Sequence, residues 1–269
     1  MVTLIYLAAG ASSRFGGRIK ALARIGKKDE TMLEISMRQA KTAGFNNIVI
    51  IASDTTVQPI KDAVGNSFDG IPIAYCLQKT PTHRKKPFGT SHALLSAKEL
   101  VNEQFVVLNS DDLYGERTLA AVAQYLKAEN GYCMPGYKLK NCLPENGTVN
   151  RGIITVNDDS TLNRITETFN ISRADIPSKF AGDELVSMNL FGVQPAFFSF
   201  IEETFQRFLK EHPDDPTTEF LLPVSISEFI TERGLQMRIL PTDDIPVGLT
   251  NPEDEAVLRE QLRTATTRP

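Results

Sequence analysis

The first half of the sequence alternates short apolar runs, rich in β-branched residues, with longer segments of helical pattern. The apolar runs are Val2–Ala8, Asn47–Ala52, Ile71–Leu77 and Gln104–Leu108, and the helical segments lie at about 31–44, 56–64, 90–101 and 115–129. Each run is continuously apolar, which is typical of a parallel sheet that helices cover on both faces. This order of strands and helices predicts right-handed βαβ units and an open α/β sheet.

The first helical segment has clear start and stop signals. Thr31 and Glu34 have the spacing of a capping box, in which each side chain bonds the backbone N–H of the other residue. Gly44 follows the last turn, where a glycine commonly ends a helix. We therefore predict a helix that begins just after Thr31.

After about residue 130 the pattern is less regular. Strands are predicted at 132–139, 151–157, 161–166, 185–193 and Gln236–Leu240, and helices at about 196–210, 217–231 and from Asn251 onward. The later strands either extend the first sheet or form a lobe facing it. We expect one domain over 1–269, with two halves at about 1–130 and 131–250 and a C-terminal helix at about 252–264.

Composition excludes several classes of protein. The chain has 269 residues with 29 Lys and Arg against 33 Asp and Glu, a net charge of −4 that offers no broad cationic face to nucleic acid. Its apolar runs are too short to span a bilayer, and its start lacks the pattern of a signal peptide. The three cysteines are odd in number and have no CxxC spacing, so a disulfide framework and a thiolate zinc site are not indicated. We expect a soluble, cytoplasmic protein that binds neither nucleic acid nor membranes.

The first strand runs into a loop of small and polar residues at 8–20. Such residues let the backbone approach a ligand closely, and Arg14 and Lys20 add two cations suited to a polyphosphate. The loop has neither the glycine spacing of a dinucleotide fingerprint nor the Gly-Lys-Ser/Thr of a P-loop. The alternative reading is an ordinary glycine-rich turn.

The loop after the fourth strand carries adjacent carboxylates at Asp111 and Asp112. Mg²⁺ takes a few carboxylate oxygens together with substrate phosphates, so this pair is a candidate metal site. A helix cap is the structural alternative. In an open α/β sheet both loops lie at the carboxyl ends of strands, where ligands bind.

A third segment, 86–93, contains a Gly89-Thr90 turn that either contacts a nucleoside or only begins a helix. His92 is the one histidine near these loops, and we expect a structural or solvent-facing role for it. The basic run 83–86 is expected to be a solvated loop face, with steering of phosphate as the alternative.

Together these segments resemble the sugar-1-phosphate nucleotidyltransferases, which have a GT-A-like, Rossmann-type fold with an open, mostly parallel mixed sheet. The motifs that carry the resemblance are Leu7-Ala-Ala-Gly-Ala-Ser-Ser-Arg-Phe-Gly-Gly with Lys20, Phe88-Gly-Thr-Ser-His-Ala-Leu-Leu95 and Val106-Val-Leu-Asn-Ser-Asp-Asp-Leu-Tyr-Gly115. Weaker matches follow at 151–152, 165–167, 186–192 and 218–223, so the resemblance covers about 2–255.

The resemblance implies a set of site residues. The implied nucleotide-binding residues are Leu7, Ala8, Ala9, Gly10, Ala11, Ser12, Ser13, Gly89, Thr90 and Asn109. It further implies Arg14, Lys20 and Asp111 as catalytic residues, Asp111 and Asp112 as ligands of Mg²⁺, and Gly152, Glu167 and Asn189 as contacts of the acceptor.

Two positions depart from the family's pattern. Ile19 precedes Lys20, where the family usually has a proline. Many relatives place a second metal-binding Asp or Asn near the C-terminal strand, whereas the stretch 245–250 has none at the obvious place. Asp112, or less favourably Asp243 or Asp244, is expected to supply that carboxylate.

The expected reaction joins a nucleoside triphosphate to a sugar 1-phosphate and releases pyrophosphate. A second interpretation keeps this transfer but changes the acceptor to phosphocholine, an alditol phosphate or another small phosphorylated alcohol. Glu167 favours a sugar, because a carboxylate accepts hydrogen bonds from hydroxyl groups. A third interpretation, from another class, is a non-catalytic regulator that binds a nucleotide-sugar. Assembly into a homo-oligomer is left open.

Overall fold

A computed structural model of the protein describes residues 2–10, 15–145, 147–249 and 254–264. Its strands are β1 Thr3–Ala8, β2 Ile48–Ala52, β3 Ser67–Phe68, β4 Ile71–Leu77, β5 Phe105–Asn109, β6 Asp112–Leu113, β7 Tyr132–Lys138, β8 Val149–Val156, β9 Leu162–Ile171, β10 Leu185–Ser187, β11 Phe191–Val193, β12 Met237–Pro241 and β13 Val247–Gly248. Its α-helices are α1 Met32–Thr42, α2 Val57–Val64, α3 Thr90–Leu95, α4 Glu116–Glu129, α5 Ala196–Glu211, α6 Leu222–Glu232 and α7 Asp254–Thr264.

The predicted open, Rossmann-like α/β sheet is confirmed. Strands of the large sheet follow the order β3-β4-β2-β1-β5-β11-β7-β10-β8-β9, and β12 also pairs with β7. The neighbours β4, β2, β1 and β5 are parallel, while β11, β7, β10, β8 and β9 follow as antiparallel neighbours. The later strands therefore extend the first sheet, which is one of the two arrangements that the sequence left open.

Apolar side chains pack on both faces of this sheet. Leu4 and Tyr6 of β1 point into one core, while Ile5 and Leu7 point into the other. Helices α1, α2 and α4 cover the first face, and α3, α5 and α6 cover the second. Because successive side chains of a strand point to opposite faces, a continuously apolar strand requires this double cover.

The predicted start of the first helix is confirmed by its hydrogen bonds. The Thr31 side chain accepts from the backbone N–H of Glu34, and the Glu34 carboxylate accepts from the backbone N–H of Thr31. These two bonds satisfy donors that the first turn of a helix leaves unpaired.

Several element boundaries differ from the predicted ones. The helix predicted at 90–101 ends at Leu95, and the strand predicted at 185–193 is interrupted where Asn189 adopts a φ of 59°. Helix α6 begins at Leu222 rather than 217, since the preceding segment bonds to other loops. The two-residue strands β3, β6 and β13 were not predicted because so short a run has no periodicity to detect.

A small second sheet and the C-terminal helix lie beside the end of β5. Strand β13 pairs with β6, aligning Gly248 with Asp112. Leu258 of α7 packs in a cluster with Phe15, Leu113 and Leu249. The predicted helix start at Asn251 and Pro252 lies outside the described residues. In the described ranges, none of the helices has the length and apolar character needed to cross a bilayer.

Tyr114 joins the first half of the chain to the second through its buried hydroxyl group. The hydroxyl donates to the carbonyl oxygen of Met188 at 2.7 Å and accepts from the backbone N–H of Asn109 at 3.1 Å. The Tyr137 hydroxyl in turn donates to the Tyr114 carbonyl at 2.8 Å. This network fixes the loop after β5 against the segment between β10 and β11.

We predict that Tyr114→Phe lowers the free energy of unfolding by about 1–3 kcal/mol, because two backbone groups lose their partner in a buried position. Chemical denaturation followed by circular dichroism measures this change. Tyr132→Phe is the control, since its hydroxyl makes no hydrogen bond within the described part of the chain. Equal stability of both variants and the wild type would contradict the role given to Tyr114.

Candidate active site

The ends of β1 and β5 place two predicted loops side by side. These strands are parallel, and Leu7 lies opposite Asn109 at their carboxyl ends. The predicted nucleotide residues Leu7, Ala8 and Ala9 are buried here, whereas Gly10 is exposed. The predicted residues Ala11, Ser12, Ser13 and Arg14 lie outside the described residues, so their roles stay predictions.

Lys20 and Asp111 meet across the two loops. The Lys20 ammonium lies 3.5 Å from Asp111 Oδ2 and donates to the carbonyl oxygen of Leu249 at 2.8 Å. It also lies 5.3 Å from the centre of the Phe15 ring. The two residues are 91 positions apart in the sequence, and the parallel pairing of β1 with β5 brings their loops to the same edge of the sheet.

Asp112 is half-buried beside this pair. Its Oδ2 accepts from the Asn109 side-chain amide at 2.9 Å. Burial, followed by the charge of Asp111, raises the pKa of Asp112 to about 6, while Asn109, Arg151 and Lys20 act in the opposite direction. Two adjacent carboxylates in one pocket repel each other, which is an arrangement that a bound cation relieves.

Gly248 makes room for the Asp112 carboxylate. A Cβ atom at position 248 would lie 2.3 Å from Asp112 Oδ1, so any side chain there would displace it. The Asp112 carboxylate thus occupies the space next to β13, which lies in the stretch 245–250 that has no second metal-binding Asp or Asn at the obvious place. Asp244 does not serve as that ligand, because its Oδ2 accepts from the Thr118 N–H at 2.9 Å at the start of α4. Asp243 is exposed and does not line the cleft.

The donor set around Asp111 fits a divalent cation that also binds substrate. Mg²⁺ is commonly held by one or two carboxylates together with substrate phosphates. Among the residues described, no group of three or more His, Cys, Asp or Glu side chains is arranged to hold a metal ion. Asp111 and Asp112 therefore suit an ion that phosphate oxygens complete, and do not suit a closed structural site.

A cleft of about 770 Å³ opens beside these residues. Lys20, Asn109, Asp111 and Asp112 line one end of it. The other residues that line the cleft include polar side chains from β8, β9, the loop before β8 and the segment after β9, namely Asn141, Thr148, Asn150, Arg151, Asn170 and Arg173. Arg151 and Arg173 were not among the predicted site residues, although the Arg151-Gly152 pair belonged to a weak match.

The three predicted acceptor residues form a separate cluster. Gly152 in β8 lies opposite Glu167 in β9, and a Cβ at Gly152 would be 3.3 Å from Glu167 Oε1. Ser187 is the neighbour of Gly152 in β10 and accepts from the backbone N–H of Asn189 at 3.3 Å. The structure thus brings these residues together, but none of the three lines the cleft. Burial raises the pKa of Glu167, with Arg151 opposing that shift.

The Gly89-Thr90 turn is bonded to the segment that precedes α6. The Thr90 hydroxyl oxygen accepts from the backbone N–H of Leu222 at 2.9 Å. Gly89 has a φ of +100°, and a Cβ there would lie 2.6 Å from the Phe220 carbonyl oxygen. The Thr90 hydroxyl oxygen thus pairs with the first residue of helix α6 and fixes the turn against the segment before that helix, while the contact of this turn with a nucleoside stays a prediction.

Arg84 corrects the expectation that the basic run 83–86 is solvated. It is only 7% exposed, and its guanidinium lies 4.1 Å above the Phe88 ring. The guanidinium donates to the carbonyl oxygens of Lys86, Asp215 and Thr218. The other three residues of the run are exposed. Periodicity offers no signal for such a residue, since two of its three carbonyl partners lie more than 130 positions away.

His92 has the structural role expected for it. Its ring packs on Phe205 at 4.7 Å between centres, and its Nδ1 lies 3.2 Å from the Gln78 amide. Burial, and then the charge of Arg84, lower the pKa of His92 to about 4. The imidazole is therefore uncharged at neutral pH, and it does not line the cleft.

Comparison with known proteins identifies similar folds. The family of MobA-like NTP transferase domains matches residues 4–167. A protein from Bacillus anthracis described as a glucose-1-phosphate thymidylyltransferase, solved with sucrose, is 16% identical with a TM-score of 0.71, over 100% of this chain and 98% of its own. No curated protein matches the sequence significantly.

Two further solved structures are similar along almost their whole length. The UTP-bound UGPase of Acinetobacter baumannii is 14% identical with a TM-score of 0.65, over 100% of this chain and 95% of its own. The inositol-1-phosphate CTP transferase of T. maritima is 14% identical with the same TM-score of 0.65, over 99% of this chain and 98% of its own. At such identities these structures establish a shared fold.

We predict that Arg84→Met lowers the free energy of unfolding by about 1–3 kcal/mol, because three carbonyl oxygens lose a charged donor. Thermal or chemical denaturation measures the change. Lys85→Met is the matched control, since Lys85 is exposed in the same basic run and should change stability by at most about 0.5 kcal/mol. An Arg84→Met protein as stable as Lys85→Met would show that the carbonyl contacts contribute little.

Proposed function

The chain belongs to the family of MobA-like NTP transferase domains and is a nucleotidyltransferase, and we propose that it joins a nucleoside triphosphate to a sugar 1-phosphate. The products are a nucleotide-sugar and pyrophosphate. One observation carries this proposal: Lys20 and Asp111, from two loops at the same sheet edge, lie 3.5 Å apart at the end of a large polar cleft.

The reaction needs positioning more than proton transfer. An oxygen of the acceptor's phosphate attacks the α-phosphorus and forms a new O–P bond. The bond between the α-phosphorus and the oxygen that bridges it to the β-phosphate breaks, and pyrophosphate leaves. The attacking group is already anionic, so no strong general base is required. The reaction instead requires aligned substrates and neutralised charge, and the half-buried, uncharged His92 lies outside the cleft.

The residues of the cleft have different roles in this reaction. Lys20, held by Leu249 and Asp111, places a fixed positive charge between two anionic substrates. Asp111 and Asp112 would hold Mg²⁺, with Asn109 orienting Asp112. When bound, Mg²⁺ neutralises phosphate oxygens and makes the phosphorus more electrophilic.

The remaining site residues belong to the same proposal. Ser12, Ser13 and Arg14 would bind the triphosphate, and the backbone at 7–11, Gly89 and Thr90 would bind the nucleoside beside Asn109. Gly152, Glu167 and Asn189 would contact the acceptor. On this assignment the nucleotide half covers about 1–130 and the acceptor half about 131–250.

The nature of the acceptor is the open part of the proposal. A polyol phosphate or phosphocholine would meet the same reacting end of the cleft, and one solved structure of this fold is an inositol-1-phosphate CTP transferase. The sugar 1-phosphate is preferred because Glu167 offers an acceptor for hydroxyl groups close to Gly152.

A matrix of the four common nucleoside triphosphates against phosphorylated acceptors tests this function. The acceptors are several sugar 1-phosphates, inositol 1-phosphate, an alditol phosphate and phosphocholine, with Mg²⁺ and pyrophosphate release as the readout. We expect at least one sugar 1-phosphate to react. Lys20→Ala and Arg14→Ala should each lower turnover by about 10²–10³, the usual cost of losing a preorganised charge contact.

Lys28→Ala provides the control, because Lys28 is an exposed lysine near the same loop. It should react like the wild type. If no pair reacts with folded protein, transfer to a phosphorylated acceptor is wrong and a nucleotide-sugar-binding regulator becomes the better interpretation. Near-normal turnover in both Lys20→Ala and Arg14→Ala would refute their assignment.

We also predict that Gly248→Ala weakens divalent-cation binding about 10- to 100-fold, because the added methyl group displaces the Asp112 carboxylate. Titration of Mn²⁺ followed by electron paramagnetic resonance measures this affinity directly. Asp112→Asn should weaken binding similarly, and the double variant should be no weaker than either single one. Additive losses would mean that Gly248 acts independently of Asp112.

A further inference from the structure

Two arginines from the second half of the chain converge on one loop of the cleft. Arg151 in β8 donates through Nη2 to the carbonyl oxygen of Cys142 at 3.0 Å. Arg173, just after β9, donates through Nη2 to the carbonyl oxygen of Leu143 at 2.9 Å. Because these carbonyls belong to consecutive residues, both guanidinium groups lie at the same stretch of the cleft wall.

The two arginines differ in how their charge is compensated. Arg173 forms an ion pair with Glu145 at 3.2 Å, and both side chains are largely solvated. In the described residues, Arg151 has no carboxylate within ion-pairing distance, and its buried Nε has no hydrogen-bond partner. Its Nη1 donates to the carbonyl oxygen of Asn150 at 3.0 Å. A guanidinium has five N–H donors, so Arg151 carries unused donors and an unpaired charge.

The position of Arg151 links the reacting end of the cleft to the predicted acceptor residues. Arg151 lines the same cleft as Asp111 and Asp112. Arg151 also lies opposite Thr168 in β9, next to the pair of Gly152 with Glu167. Arg151 therefore belongs both to the wall of the cleft and to the strand that carries the predicted acceptor residue Gly152.

The groups around Arg151 favour an anionic ligand. Asn141, Asn150 and Asn170 line the same cleft, and Glu145 is already paired with Arg173. The planar fork of a guanidinium matches two oxygens of a phosphate group and binds them with charge-assisted hydrogen bonds. A neutral hydroxyl group would leave most of that charge uncompensated.

We propose that Arg151 binds the phosphate group of the acceptor, and that the acceptor is a phosphate monoester held by its anionic end. The proposal rests on the nucleotidyl transfer proposed above. Arg151 then holds the attacking phosphate close to the Asp111–Asp112 pair and offsets its repulsion from the triphosphate. Arg173, paired with Glu145, serves to hold the loop at 142–143.

Kinetics of the Arg151 variants test this assignment with the acceptor that the matrix identifies. Arg151→Gln should raise the KM for the acceptor about 10- to 100-fold, the range expected for lost charged hydrogen bonds, while the KM for the nucleoside triphosphate changes less than about twofold. Arg151→Lys should recover part of the loss. Arg164→Gln is the control, since Arg164 is an exposed arginine of β9 outside the cleft.

A binding experiment with inorganic phosphate tests the site without turnover. Titration of the protein with phosphate, without nucleotide or metal and followed by ³¹P NMR, should show saturable binding in the wild type and Arg164→Gln. Arg151→Gln should bind at least about tenfold more weakly, whereas Arg173→Gln should stay within about threefold. Equal weakening in both of these variants would mean that loop position matters and would overturn the assignment.

The two proposals fail in different ways. If Arg151→Gln loses phosphate binding but no acceptor reacts in the matrix, the phosphate site stands and the nucleotidyl transfer fails. If an acceptor reacts and its KM is unchanged in folded Arg151→Gln, the transfer stands and the role of Arg151 is refuted.

Discussion

The parallel pairing of β1 with β5 is the constraint on which the site depends. It aligns Leu7 with Asn109, so the loops that follow both strands start at one edge of the sheet. A lysine from one loop and an aspartate from the other can then come within 3.5 Å. The antiparallel pairing of β13 with β6 adds Gly248 beside Asp112, which completes the wall from the C-terminal side.

Polar contacts in or near the core hold the two halves of the chain in register. The Tyr114 hydroxyl connects the loop after β5 to Met188, and Arg84 connects the loop before α3 to the segment before α6. Asp244, near the other end of the chain, accepts a hydrogen bond from the Thr118 N–H in the first turn of α4. Such bonds have strict geometry, so they align the loops more closely than apolar packing alone.

Charge is distributed unevenly in this mildly acidic protein. With a net charge of −4, it still gathers Lys20, Arg151 and Arg173 around one cleft. The carboxylates of Asp111 and Asp112 lie among these cations, and burial, followed by the charge of Asp111, raises the pKa of Asp112. A site that brings together two polyanions needs this concentration of positive charge, with carboxylates placed where a metal ion would bind.

The sequence by itself determined the alternating strands and helices, the capped start of α1, and the loops that carry Lys20 and Asp111. These features are local, because periodicity and short motifs depend on residues that are close together in the sequence. Tertiary structure alone decided that Arg84 is buried, that Arg151 faces the cleft and that Gly248 makes room for Asp112. Arg84 and Gly248 contact residues more than 100 positions away, and the cleft that Arg151 lines is formed by segments from both halves of the chain. Such long-range contacts leave no pattern in the neighbouring sequence.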